Sequence, residues 1–493
     1  MAAQIKTPGV YIDEVDGFPN SVVQVPTGIP VFIGHTEKAA RGAENLTGTP
    51  TKVRSLMEFN RLFGGAPRTT VSLSGLTNPV VSFASARYLM YHGLRMFFDN
   101  GGSECWILSV GNYDTAPAVA ALSKPLQQGE ALEKESEPTM VCIPDAMQLP
   151  VNDWTTLSRL TIDHCAKMQS RVALLDIHNG WRPAREVISG PNGIWNKLDG
   201  EDLGFAAAYY PWVNTSVIPL SDVNLGAIDP GSITHLQEAI KGDVADPDNA
   251  DEVAAAEHLA DMLVEPGEEE DHDITPQTAH LTALTRSPTY RALIEKAREA
   301  LNLLPPAAAM AGVYARTDAN AGVFVAPANT GLTGVVSPAV AISSDEQADL
   351  NVPLNGKAIN AIRTFQGRGV LVWGARTMDG NSQDWRYINV RRTMIMLEQS
   401  IKTAAEAYVF SPNTASTWAT VKSTITNFLT NQWKEGALAG ATPDEAFSVA
   451  IGLGETMTAQ DILDGYMNVS IKVAIARPAE FIVLTFSQQM QTS

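Results

Sequence analysis

Residues 465–489 read GYMNVSIKVAIARPAEFIVLTFSQQ, and this stretch near the end of a 493-residue chain limits the fold more than any other. Val469, Ile471, Val473 and Ile475 alternate with Asn468, Ser470, Lys472 and Ala474, the period-2 pattern of a half-buried strand. Pro478 breaks the ladder because it has no backbone N–H, and residues 481–486 resume as a denser run of β formers. So much apolar strand beside a chain end must complete a sheet, its own or another molecule's.

A chain of this length exceeds one core and predicts two or three domains. With 45% hydrophobic and 18% charged residues it is globular rather than disordered. Cys105, Cys142 and Cys165 share no CxxC spacing, so neither a disulfide framework nor a zinc site is implied, and a reducing compartment is expected. The opening MAAQIKTPG lacks the apolar core of a signal peptide, and no run nears the roughly 18 apolar residues of a membrane span. Synthesis in the cytoplasm without a signal peptide is the expectation, with any release by another route than Sec-type export. Charge is unevenly spread. The chain has 35 Lys and Arg against 54 Asp and Glu; from Gly356 onward the count is 12 against 11, leaving 23 against 43 before it. Most of this surface repels a polyanion, so direct nucleic-acid binding is disfavoured.

Along the chain, residues 7–15 (TPGVYIDEV) read as a short strand, tethered by a stretch that Pro19, Pro26, Gly28 and Pro30 keep from being helical. Residues 29–34, 105–110, 172–177 and 205–213 read as buried strands. Residues 79–98 and 153–168 read as helices, and residues 124–138 as a surface loop. This alternation predicts an α/β domain with a partly parallel sheet. Residues 243–273 hold 13 Asp or Glu and no Lys or Arg, which predicts a solvated, partly helical insertion. Asp246, Asp248 and Asp251 could form a cation site, but the glycine and spaced glutamate of an EF-hand loop are absent. The Gly/Ala/Pro-rich passage after Pro305 shows little periodicity and reads as a connecting segment. Strands are expected at 361–365 and 369–375. Two helices follow: one carries the stripe Val390, Met394, Leu397, Ile401, Ala404 and Tyr408, and the other runs from about Thr417 to a stop at Gly436.

No phosphate loop, dinucleotide fingerprint, nucleophile elbow or HExxH motif occurs. His272 and His280 flank a polar loop as isolated residues. Asp176 ends a buried strand, where α/β enzymes place catalytic groups, but no nucleophile or base can be set beside it. Arg386, Arg391 and Arg392 could meet phosphate or an acidic partner equally well. No catalytic, cofactor or metal site is expected.

A tethered strand at one end and a strand pair at the other are edge-forming elements. Pairing them with neighbouring subunits is strand addition in trans, and a contact that does not map onto itself builds rings or a helical lattice. TPGVYIDEV, FFDNGG at 97–102, PPAAAMAGVYARTD, INAIRTFQGRGVLVWGARTM, DWRYINVRRTMIMLEQSI, VFSPN, WKEGALAGATPDEAF and ARPAEFIVLTFSQ occur in one order, and together they resemble the phage-type contractile tail sheath family. The resemblance is closest over the first 35 residues or so and from Pro305 onward. The acidic insertion and overall size look most like the sheaths of extracellular contractile injection systems.

That resemblance implies an inner α+β domain built from both chain ends and an outer, partly parallel α/β domain carrying the acidic insertion. The expected division is an arm at 1–30, an outer domain at 31–350 with the insertion at about 229–290, and an inner domain at 351–493. It implies strand exchange through Val10, Tyr11 and Ile12 and through Phe481, Ile482, Val483 and Leu484. For tube contact it points to Arg391, Lys402, Lys422 and Lys434. Expected partners are further copies of the chain in stacked helical rings, an inner tube, and baseplate and terminator proteins, with no direct contact to nucleic acid or membrane. The alternatives are the sheath of a true bacteriophage tail, or a cytoplasmic α/β enzyme forming closed oligomers.

Overall fold

The computed structural model describes residues 21–76, 78–264 and 275–483. Val10, Tyr11, Ile12, His272 and Leu484 lie outside the described residues. Two compact units emerge. Among the described residues, one joins 21–25 with 396–476; the other holds 26–395 and 477–483.

The larger unit is built on a nine-stranded sheet. Its strands are β1 (Pro30–Gly34), β2 (Thr51–Val53), β3 (Cys105–Ser109), β4 (Met140–Cys142), β5 (Val172–Asp176), β6 (Ala206–Tyr210), β7 (Thr330–Gly331), β8 (Asn360–Phe365) and β9 (Gly369–Trp373). Hydrogen bonding orders them β7-β9-β8-β6-β5-β4-β1-β3-β2. The run from β8 to β3 is parallel, while β9, β7 and β2 pair antiparallel at the two sides. Every residue of β1, β5 and β6 is buried, as a parallel sheet covered on both faces requires. The mixed sheet fits the α/β expectation. The expected boundary near residue 350 differs from the observed division, because β8 and β9 belong to this sheet and the unit continues to Ile395.

Helices α1 (Met90–Asp99), α2 (Val151–Met168) and α3 (Ala307–Ala321) cover the strands. α3 corrects the expectation of a connecting segment after Pro305. Its first eight residues, AAAMAGVY, are all buried, so no polar face exists to give it a period. It packs so close to α1 that a Cβ on Gly312 would lie 2.4 Å from the Phe97 carbonyl oxygen. The helix expected over 79–98 is also corrected. Val80–Phe83 is a strand paired antiparallel with Val71–Ser74, and α1 starts only at Met90. Its start is set by buried Asp145, whose carboxylate accepts from the Leu89 and Met90 N–H groups at 2.7 and 3.2 Å. Asp176 does the same for α3, accepting from the Ala307 N–H at 2.7 Å.

A second apolar cluster lies under the helices Ile233–Gly242, Ala250–Asp261, Pro276–Arg286 and Pro288–Leu301, centred on Leu236, Leu263, Tyr290 and Leu293. The acidic insertion is therefore partly helical with its own core. In DPDNADE the Asn249 side chain accepts from the Asp251 and Glu252 N–H groups, so the motif starts a helix. His280 is buried there, its Nδ1 2.7 Å from the Tyr290 hydroxyl.

In the smaller unit, the C-terminal part of α4 (Ile388–Glu406) and α5 (Ala415–Lys434) accompany the two-stranded sheet of β10 (Phe447–Ala450) and β11 (Ser470–Val473). α5 buries Val421, Ile425, Phe428 and Leu429, and the chain turns out of it at Gly436, whose φ of 90° only glycine adopts freely. Residues 21–25 join it: the Val25 N–H donates to Ser400 Oγ at 3.0 Å.

Two substitutions test the close contact of α3. Gly312→Ala should cost about 1–3 kcal/mol, read as a lower denaturant midpoint, because backbone atoms cannot yield to the added methyl. Asp318→Ala strands the buried Arg392 guanidinium, which its carboxylate grips at 2.9 Å in a two-point contact, and should cost about 3–5 kcal/mol. The apolar pair Asp318→Leu with Arg392→Met should recover most of that loss.

Candidate assembly surfaces

The sequence reading located strand-forming residues at the chain end, and the structure separates them into two surfaces, one on each unit. In the smaller unit, residues 469–475 alternate between half-buried and exposed, as the period-2 pattern predicts. β11 pairs antiparallel with β10, Val473 opposite Phe447 and Ile471 opposite Val449. Among the described residues this sheet has two strands only, so one edge of each strand offers unpaired N–H and C=O groups. Lys402, Lys422 and Lys434 are exposed on α4 and α5, and among the described residues none is ion-paired.

In the larger unit, residues 477–483 form a strap. Glu480 is its anchor. The Arg376 guanidinium grips the carboxylate at two points, its Nε donating at 3.0 Å; Asn351 Nδ2 donates at 2.8 Å and the Tyr387 hydroxyl at 3.2 Å. Arg376 is itself fixed by donating to the Asn351 and Gly380 carbonyls. Burial alone would raise the Glu480 pKa; the hydrogen bonds from Arg376 and Asn351 overcome it and hold the carboxylate below its usual range. Arg477 lies 3.9 Å from Asp384.

Immediately beyond the anchor, Phe481, Ile482 and Val483 are 71%, 78% and 86% exposed and form no strand among the described residues. Three successive apolar side chains open to water in a folded chain signal an unfilled contact. A groove of about 600 Å³ adjoins them, lined in part by Ala328, Gln347, Trp373 and Tyr387.

The three arginines grouped in the sequence are not gathered into one site. Arg392 is buried against Asp318, its guanidinium 4.7 Å from the Tyr314 ring centre. Arg391 stacks 3.6 Å from the Trp385 ring centre and 4.2 Å from that of Phe205, which already occupies the side chain named for tube contact. Arg386 donates to the Ser382 carbonyl. Asp176 is a helix cap in the apolar interior, where burial pushes its pKa up to about 7. Sequence reasoning missed the Arg376–Glu480 clamp. Both residues lie inside quoted motifs, GARTM and ARPAEF, but 104 positions apart with nothing to pair them.

A model of the phage tail sheath protein central domain matches residues 248–378, and one of the phage tail sheath C-terminal domain matches 381–489, in sheath order. Over residues 248–489 the chain matches the contractile tail sheath family. A tail sheath protein of Salmonella phage ViI is 30% identical over 147 residues, 29% of this chain and 23% of that protein. The chain thus spans about a quarter of the length of the curated relatives it matches. Among solved structures, the sheath of an extracellular contractile injection system, the PVC sheath complex in its contracted state, is 25% identical, with a TM-score of 0.61 over 99% of both chains. The helical sheath of the anti-feeding prophage in its contracted state is 27% identical, with a TM-score of 0.62 over 98% of this chain and all of the other. Family and structural neighbours alike are structural sheath proteins rather than enzymes. No helix among the described residues is long and apolar enough to cross a membrane.

The clamp makes the strap sensitive to acid. A carboxylate whose folded pKa is depressed contributes stability that is complete above its unfolded pKa of about 4.3 and is lost as pH falls through the lower folded value. Hydrogen exchange at residues 477–483 should therefore rise steeply only below about pH 4. Arg376→Ala should raise it at neutral pH as well, with a local loss of about 1.5–3 kcal/mol.

Proposed function

We propose that the chain is the subunit of a contractile sheath. It polymerises helically around an inner tube and contracts to drive that tube through a target envelope. The observation that carries this reading is the ordered match of both sheath domains over residues 248–489, combined with likeness to contracted sheaths along nearly the whole chain. The unit holding 396–476 is the inner domain, and the nine-stranded unit faces outward.

Subunits are linked by strand exchange. Val10, Tyr11 and Ile12 add to the open sheet edge of one neighbour, and Phe481, Ile482, Val483 and Leu484 reach another. The exposure of Phe481–Val483 and the two free edges of the β10–β11 sheet support this. Because the contact is not self-complementary, it propagates rather than closing. Lys402, Lys422 and Lys434 face the tube. Arg391 stays in its stack.

The sheath belongs to an extracellular injection particle, made in the cytoplasm and released in assembled form. The PVC and anti-feeding prophage sheaths align over 98% or more of this chain at 25–27% identity, which supports this reading. Baseplate and terminator proteins bound the polymer, and the extended lattice stores the free energy of contraction without nucleotide.

Negative-stain microscopy of the purified protein should show striated tubes or stacked rings; small closed oligomers under every assembly condition would refute the reading. Deleting residues 1–15, or truncating directly after Glu480 so that the clamp survives, should leave a folded subunit that no longer polymerises. Tubes from either truncated chain would rule out exchange through that end. Reversing Lys402, Lys422 and Lys434 to Glu should spare self-assembly and reduce co-sedimentation with tube at least tenfold.

A further inference from the structure

A cavity of about 500 Å³ lies within the larger unit between α1, the loop around Pro67 and residues 218–227. Its polar lining includes Arg68, Thr69, His92, Arg95, Asp222 and Asn224. Among the described residues neither Arg68 nor Arg95 has a carboxylate within ion-pairing distance. Behind them Arg87 is buried, donating to the Leu303 carbonyl at 3.0 Å and lying 4.2 Å over the Phe83 ring, again with no acid. Burial pulls its pKa down to about 10. His92 is 8% exposed, and its Nδ1 has no hydrogen-bond partner. Burial, with Arg87 and Arg95 nearby, pulls the His92 pKa down to about 3, so the ring is neutral at physiological pH.

Two guanidiniums thus lie near one imidazole, and a third, Arg68, shares the cavity lining, in a part of the chain with nearly twice as many acidic as basic residues. Arg87 is buried and Arg95 half-buried without a counter-charge, which is costly, and a bound anion offsets that cost, while exposed Arg68 stands at the cavity's wet side. The volume is that of a small-molecule site.

We propose that this cavity binds a small oxyanion carried on a sugar-sized polar molecule. Arg95 and Arg68 hold the carboxylate or phosphate, and Thr69, Asn224 and Asp222 meet its hydroxyl groups. The site lies inside one subunit, so the proposal stands or falls separately from sheath assembly.

Calorimetric titration of the unassembled full-length chain with inorganic phosphate, glucose 6-phosphate, glucuronate and glucose tests it. One-site saturable binding of at least one acidic sugar is expected, tighter than phosphate and absent for glucose; the two sugars distinguish a phosphate from a carboxylate. Arg95→Gln and Arg68→Gln should each weaken it at least tenfold with an unchanged thermal melt. Should Arg95→Gln unfold the chain, exposed Arg68 carries the test alone. Absence of saturable binding, or binding that both variants leave intact, overturns the proposal. So does a variant with Glu268, Glu269 and Glu270 changed to Gln that binds tenfold tighter, since the occupant would then be the chain's own acidic stretch.

Discussion

The close approach of α3 to α1 is the contact on which the larger unit depends. With no Cβ at Gly312, and Gly93 facing Ala308, the two helices lie nearly backbone to backbone. That proximity fixes the rest of α3. Its N-terminus receives the Asp176 carboxylate from the end of β5, its middle places the Tyr314 hydroxyl 2.6 Å from that of Tyr209, and its last turn presents Asp318 to Arg392. One alanine-rich helix therefore joins the central sheet to the start of α4. Small residues make this possible, because a larger side chain at any of these positions would push the buried polar groups out of reach.

The unit's cations divide by chemistry. Arg376, Arg391 and Arg392 are used internally, in two-point carboxylate contacts or stacked on aromatic rings, for which a planar guanidinium is suited. In the smaller unit the exposed cations singled out on α4 and α5 are lysines, whose compact, strongly hydrated charge is retained cheaply in water and meets a partner without fixed geometry. Net charge by itself does not reveal this division.

Residues 469–475 and α5 were legible because each has one wet and one dry face, so burial is written as a period of 2 or 3.6. β1, β3 and β5 were legible as short continuous apolar runs between turn signals. α3 was not, since its first eight residues are buried on every side and so carry no period. The start of α1 was not, because its cap comes from Asp145, 55 or more residues downstream. β11 lies where its alternation placed it, while residues 481–483 form no strand, and the clamp behind them was hidden because Glu480 and Arg376 stand 104 positions apart with nothing in the sequence to pair them.

The clamp also determines how force enters the subunit. Any tension applied to residues 481–483 is carried first by Glu480 and passes through the Arg376 guanidinium into the turn after β9. Two parallel hydrogen bonds to one carboxylate share such a load rather than opening one after the other. A pull on residues 481–483 therefore reaches the nine-stranded sheet through the clamp before it can peel the strap from the surface.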